Sequence, residues 1–413
     1  MLFLYNLVVL LASQVVKILA VFNPKMQLFV DGRTTVYATL SKKISLSDKT
    51  IWFHAASLGE YEQGLPIMES MKKNYPNHKI VLTFFSPSGY EVRKNNTIAD
   101  ATVYLPLDTK RNVAEFLKLV HPEKVFFIKY EYWPNYLNAL KKGNIPTYLI
   151  SGIFRKNQVF FKWYGGFYRK ALDSFAYFFV QNEASVKLLL TIGFNNVKIC
   201  SDTRFDRVSK IVEQDNSLDF ISSFKNNTLT IVVGSSWPKD ESQLIDFINS
   251  NPFNVKFIIA PHNIKAEQIQ QLKDSITKKT ILFSEKENTN LAEYDVFIID
   301  TIGILTKIYS YADIAYVGGA FGTSGLHNIL EPATFGVPIV IGPNFEKFSE
   351  AVALVNLGGC VSVNSKLALE EKLAFLIQNE DERYENGHIC STFVQMNKGG
   401  TDVILKHLSN DNI

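Results

Sequence analysis

The stretch "IWFHAASLGEYEQGLP" (51–66) opens with an apolar run, Ile51 to Ala56, which stops at Ser57, Gly59 and Glu60 before a helical pattern begins. An apolar run closed by turn residues reads as a strand buried on both faces, and its hand-over to a helix as the start of a βαβ unit. The alternation continues through "KIVLTFF" (79–85), "ATVYLPL" (101–107), "KVFFIKY" (124–130), "TYLIS" (147–151) and "FAYFFVQ" (175–181). A second series runs "LTIVVGS" (229–235), "VKFIIAP" (255–261), "KTILF" (279–283), "YDVFIID" (294–300), "IAYVGGA" (314–320) and "VPIVIG" (337–342). Between them lies a polar stretch without a strand, "SKIVEQDNSLDFISSFKNN" (209–227). The expected fold class is therefore α/β, with two Rossmann-like domains over residues 23–215 and 216–413. The last helix is free in this reading to pack back on the first domain. In open α/β sheets ligands bind at the carboxyl ends of the strands, so the cleft between two facing domains is the expected site.

Composition excludes several classes. A chain of 413 residues, 46% apolar and 20% charged, is globular and too long for one core. A net charge of +3 without a long basic run argues against a nucleic-acid partner. Cys200, Cys360 and Cys390 show no CxxC spacing and read as reduced thiols of a cytosolic body. The seven histidines form no HExxH pattern, so no metal site is expected. Neither domain carries GxGxxG or a Walker loop. Oligomeric state is not legible.

Residues 2–22, "LFLYNLVVLLASQVVKILAVF", hold one charge, Lys17. As a helix they extend about 31 Å, near the thickness of a bilayer core. Lys25, Arg33, Lys42 and Lys43 follow, which keeps the body on the cytoplasmic side. Residues 1–22 are thus expected to be a membrane-anchor helix. A span is the preferred reading. An interfacial helix is the alternative, because Asn6, Ser13, Gln14 and Lys17 interrupt the run.

Four stretches can carry chemistry. Glu60 stands where the first strand meets a helix: a carboxylate there is a general base for a substrate hydroxyl, or an acid placed to suit the helix dipole. In "YEYWPN" (130–135) Glu131 has the same two readings, before a Pro suited to a helix start. "VGGAFGTSGLHNILEP" (317–332) follows a strand and opens a helix, so its glycines and helix N–H groups suit a phosphate. Within it, Asn328 and Glu331 are spaced to share a helix face, or to form a capping box. "FRKNQVFFKWYGGFYRK" (154–170) mixes Arg155, Lys162, Arg169 and Lys170 with Trp163 and other aromatics, which fits an acidic lipid surface or a plain aromatic core.

Taken in order, "HAASLGE" (54–60), "SPSG" (86–89), "YLPLD" (104–108), "EYWPN" (131–135), "QNE" (181–183), "DTRFDR" (202–207), "DTIG" (300–303) and "HNILEPATFGVPIVIGP" (327–343) resemble the Kdo (3-deoxy-D-manno-octulosonic acid) transferases of lipopolysaccharide synthesis, over nearly the whole chain. The resemblance implies a GT-B glycosyltransferase with an N-terminal acceptor domain and a C-terminal nucleotide-sugar domain. It implies CMP-Kdo as donor, the tetraacylated disaccharide precursor of lipid A as acceptor, and inversion at the anomeric carbon. Work would be done at the cytoplasmic face of the inner membrane. Glu60 would be the catalytic base, with Glu131 beside it. Gly234, Ser235, Pro261, His262, Gly303, Gly319, Asn328 and Glu331 would hold the donor. Ser57, Ser86, Ser88, Arg155, Lys162, Trp163, Arg169 and Lys170 would face acceptor and membrane. No cofactor and no metal are implied. Three positions depart from the family pattern: Lys129 for an acid, His262 for Arg, and Ile304 for Glu. They leave open a UDP-sugar transferase acting on another lipid, or a nucleotide-binding membrane scaffold without catalysis.

Overall fold

A computed structural model of the protein describes residues 1–323 and 325–410. The chain forms two compact units: Met1–Arg207 together with Lys398–Ile413, and Val208–Asn397.

The first unit carries β1 (Lys49–Ala55), β2 (His78–Phe84), β3 (Ala101–Tyr104), β4 (Pro122–Ile128), β5 (Thr147–Gly152), β6 (Tyr177–Val180) and β7 (Val197–Ile199). They pair in parallel in the order β3-β2-β1-β4-β5-β6-β7. The second unit carries β8 (Leu229–Ser236), β9 (Val255–Pro261), β10 (Thr280–Leu282), β11 (Val296–Ile298), β12 (Ile314–Val317), β13 (Ile339–Ile341) and β14 (Cys360–Ser362). Their parallel order is β10-β11-β9-β8-β12-β13-β14. The α/β class and the two Rossmann-like sheets read from the alternation are thus present, as the GT-B type implied by the resemblance requires.

The unbroken apolar runs have the reason expected of central parallel strands. On β1, Ile51, Phe53 and Ala55 enter one core cluster while Trp52 enters the other, so both faces of the sheet are covered. The differences lie at strand ends and edges. β3 stops at Tyr104, short of Pro106, and the short strands β7 and β14 were not anticipated.

Three helices precede β1: Leu2–Ala20, Pro24–Thr34 and Val36–Lys43. Asn23 caps the second, accepting from Lys25 N (2.9 Å) and Met26 N (3.2 Å), with Pro24 at its first position. The final helix, Gly400–Asn410, belongs to the first unit. Asp206 caps it, accepting from Thr401 N (2.6 Å) and Thr401 Oγ1 (2.7 Å). Ile404 and Leu408 join the core cluster that holds Ile51 and Phe53.

Candidate functional site

The strand order reverses between β1 and β4 in the first unit and, at the centre of the sheet, between β8 and β12 in the second. The carboxyl ends of those strands are where open α/β sheets leave room for ligands. Two switch-point strands end in non-glycine residues with positive φ: Lys129 (φ 68°) after β4 and Ser235 (52°) in β8. A backbone held there costs energy and marks a locally constrained site.

In the first unit Glu60 lies in the first turn of the helix Leu58–Asn74, directly after β1. Two close approaches fix this corner. A Cβ on Gly64 would fall 2.3 Å from Ile128 Cδ1, so this helix rests tightly on β4. A Cβ on Gly89 would come 2.9 Å from the Ser57 carbonyl carbon, so the "SPSG" turn closes on the Ser57 turn. Ser86 N donates to Ala56 O (2.8 Å), and the Ser86 and Ser88 hydroxyls pair at 2.9 Å. Ser57 is the helix N-cap residue, yet its side chain makes no cap bond; its hydroxyl donates to Glu60 Oε2 instead. Ser57 and Glu60 therefore do not form a capping box. Glu60 is part-buried, and its Oε1 has no hydrogen bond among the described residues.

Glu131 follows β4 and is held from two sides. Trp133 Nε1 donates to Glu131 Oε2 (2.7 Å), and His54 Nε2 lies 3.1 Å from the same oxygen. With its proton on Nε2, the buried His54 donates to the carboxylate while Nδ1 accepts from the Thr83 hydroxyl (2.8 Å). Thr83 in turn accepts from Trp52 Nε1 (2.8 Å). This chain of groups, His54 above all, was not read from the sequence. A histidine inside an apolar strand has no pattern to separate it from core, and its partner is 77 residues away.

Farther along this edge, Asp108 of "YLPLD" accepts from Asn135 N (3.0 Å) and Tyr136 N (3.0 Å), capping the helix Pro134–Lys142. Of the basic-aromatic stretch, Trp163 is 92% exposed and Lys170 is exposed. Arg155 bonds Tyr130 Oη (3.0 Å). Arg169, expected at the membrane, donates from one nitrogen to Phe160 O (2.8 Å) and Lys162 O (3.0 Å), so it shapes its own loop. In "DTRFDR", Asp202 accepts from Gln63 (2.7 Å) and Arg204 (2.8 Å), while Arg207 pairs with Glu62.

In the second unit the polar groups are engaged with one another. Asp240 is buried and accepts from Trp237 N (3.0 Å), Gly319 N (2.8 Å) and Tyr316 Oη (2.8 Å). The N–H of Gly319, expected to meet a phosphate, is thus taken by a carboxylate; Gly319 keeps φ at 98° and abuts Gly325 O. Gly234 is internal, since a Cβ there would overlap the Tyr309 hydroxyl at 1.9 Å. Gly303 is open, with φ at 99°. His327, Asn328 and Ile329 precede the short helix Leu330–Thr334 and are not on it, correcting the expected shared helix face. Asn328 Nδ2 still reaches Glu331 Oε1 (3.2 Å), and Thr306 Oγ1 donates to Glu331 Oε2 (2.9 Å).

His262, beside Pro261, stacks on Trp237 (ring centroids 4.5 Å) and lies 4.4 Å from the His327 ring. Trp237 Nε1 donates to His327 Nε2 (3.0 Å), which requires that nitrogen to be unprotonated. Burial, and then the neighbouring His262, hold His327 down to about 4, and burial lowers His262. Neither imidazole supplies the cation that an arginine would. A cavity of about 590 Å³ opens beside the glycine-rich loop, lined by Thr323, Gly325, Asn344, Lys347 and Phe348 among others. Lys347 and the acid Glu346 both line this opening, and sequence reasoning missed the pair because it sits in an ordinary polar turn.

Residues 30–207 match the family model described as 3-deoxy-D-manno-octulosonic-acid transferase (kdotransferase). The 3-deoxy-D-manno-octulosonic acid transferase of Chlamydophila psittaci is 29% identical over 346 residues, covering 80% of this chain and 78% of its own. That of Aquifex aeolicus is 27% identical over 339 residues, covering 80% and 87%. Among solved structures, UDP-GlcNAc 2-epimerase from Neisseria meningitidis superposes with a TM-score of 0.60 at 15% identity, covering 87% of this chain and 100% of that one. At that identity the likeness speaks for the fold.

Proposed function

We propose that this chain, a member of the Kdo transferase family and thus a glycosyltransferase of lipopolysaccharide synthesis, takes Kdo from CMP-Kdo and places it on the tetraacylated disaccharide precursor of lipid A, with inversion at the anomeric carbon. The observation that carries this reading is Glu60, a part-buried carboxylate at the carboxyl end of a switch-point strand, oriented by Ser57 and not engaged as a cap.

In this reading Glu60 takes the proton of the acceptor hydroxyl. The freed oxygen attacks the anomeric carbon from the face opposite CMP, and the bond to the CMP phosphate breaks with its electron pair leaving on CMP. Glu131, fixed by His54 and Trp133, sets the polarity of the same edge. On the donor side Asn328 and Glu331 suit a ribose, and Lys347 supplies positive charge near the leaving phosphate. The scheme needs no metal, so turnover is expected to persist in chelator. The protein would act at the cytoplasmic face of the inner membrane through its N-terminal helix.

The test is CMP release from CMP-Kdo by detergent-purified protein, with and without the tetraacyl acceptor, for wild type and Glu60→Gln. Acceptor-dependent release that is lost in the variant is the expected result. Folded wild type that releases CMP from neither mixture would overturn the donor and acceptor assignment.

A further inference from the structure

Several cations of the first unit are spent on nearby acids: Lys72 pairs with Asp100, Lys79 with Asp48, and Arg93 with Glu62. Lys129 and Arg155 are the contrast. Neither has an ion pair among the described residues, and both lie against one ring. Lys129 Nζ is 5.1 Å and Arg155 Cζ 5.3 Å from the centroid of Tyr130. Arg155 also donates to Tyr130 Oη (3.0 Å), whereas Lys129 Nζ has no hydrogen-bond acceptor among the described residues.

The fold builds this pair. Lys129 and Arg155 follow β4 and β5, which are paired neighbours, on the carboxyl edge that also carries Glu60 and Glu131. Three bonds fix Lys129 in place. Its N–H donates to Ile150 O of β5 (2.9 Å), its carbonyl accepts from Tyr132 Oη (3.2 Å), and Tyr130 N reaches back across it to Ile128 O (3.1 Å). A three-residue turn with φ at 68° is a strained conformation for a residue with a side chain, and it persists only where its surroundings impose it.

The acids close by are committed elsewhere. Glu131 is held by Trp133 and His54. Asp202, within electrostatic reach of Lys129, is buried and bonded to Gln63 and Arg204. Residues 154–170 hold five Lys or Arg and no Asp or Glu. An aromatic ring at a wet edge holds a cation only weakly, and two like charges repel, so the arrangement lacks an anion. A phosphate suits it: arginine offers paired N–H donors, and lysine a compact charge on a flexible stem.

We propose that Lys129 and Arg155 form an anion subsite around Tyr130 that binds a phosphate of the acceptor and so selects which acceptors reach Glu60. Lys129 stands where the Kdo transferase pattern has an acid, so the cation is a feature of this chain. The identity of the acceptor rests on the transferase reading; the binding of an anion does not.

The test measures CMP release by the full chain in detergent, from CMP-Kdo and the tetraacyl disaccharide acceptor, either intact or stripped of its phosphates. Lys129→Asn removes the charge and suits a positive φ. This variant and Arg155→Gln are each expected to raise the KM for intact acceptor about ten-fold, with kcat and the KM for CMP-Kdo unchanged, and Lys129→Arg to stay near wild type. On stripped acceptor the wild type should show the variants' KM. An unchanged acceptor KM in both variants would overturn the proposal. A raised KM for CMP-Kdo instead would move the subsite to the carboxylate of the sugar and overturn its assignment to the acceptor. A second arm needs no turnover. Inorganic phosphate is expected to raise the unfolding midpoint of wild type more than that of the protein carrying Lys129→Asn and Arg155→Gln together. Equal shifts would overturn the subsite, even where absent CMP release had already removed the transferase reading.

Discussion

The two switch points differ in what they leave available. At the first, Glu60 and Glu131 each keep one carboxylate oxygen without a hydrogen bond among the described residues, and the surrounding groups orient them. At the second, the polar side chains mostly satisfy one another: Asp240 holds Gly319 and Tyr316, Glu331 holds Asn328 and Thr306, and His327 accepts from Trp237. One sheet edge presents reactive groups. The other presents a preformed shape with Lys347 and Glu346 at its opening. Two sheets of the same topology class therefore differ in the side chains that close their strand ends: in the proposed reading, one set serves chemistry and the other recognition.

The sharpest way to break this contrast is Glu60→Gln, expected to lower acceptor-dependent CMP release by roughly 10²–10⁴-fold while leaving the unfolding midpoint unchanged. Equal turnover would return Glu60 to a purely structural role. For the second edge the expected effect is on stability: Asp240→Ala leaves two backbone N–H groups and the Tyr316 hydroxyl without their acceptor, at a cost of about 3–5 kcal/mol in denaturant unfolding. A small change would mean that the glycine-rich loop is held otherwise.

Acid titration sharpens the comparison further. His327 binds a proton less readily in the folded protein, at about 4, than at its ordinary 6.5. Stability is then full above about 6.5 and falls as pH drops toward 4, because the unfolded chain takes up the proton first. His327→Gln should flatten this slope, which is worth at most about 3 kcal/mol. The smallest expected effect is at the first edge: Trp133→Phe removes one donor from Glu131 and should lower turnover by about 1 kcal/mol, several-fold, without shifting stability appreciably.

Much of the fold was legible because parallel strands covered on both faces leave long apolar runs. "VKFIIAP" (255–261) coincides with β9, and "LTIVVGS" (229–235) falls one residue short of β8. β7 and β14 are three residues each, too short for any period to register. At the site, the "S-x-G-E" corner was visible since it interrupts a strand. The partners of Glu131 were not, since hydrophobic period reports which face is buried and not which distant polar groups meet there. The contacts of the glycines were hidden for the same reason: Gly234 abuts Tyr309, and the N–H of Gly319 meets Asp240.

The capping of the last helix by Asp206 has a consequence for how the protein is made. The first unit is continuous only to Arg207 and is completed by residues from Lys398 onward, after the whole second unit has been synthesised. Until that segment leaves the ribosome, Asp206 lacks the Thr401 donors and the cluster around Ile51 and Phe53 lacks Ile404 and Leu408. The unit that holds Glu60 therefore matures last although it is translated first, and a nascent chain stalled within the second unit carries the Glu60 edge on an unfinished core.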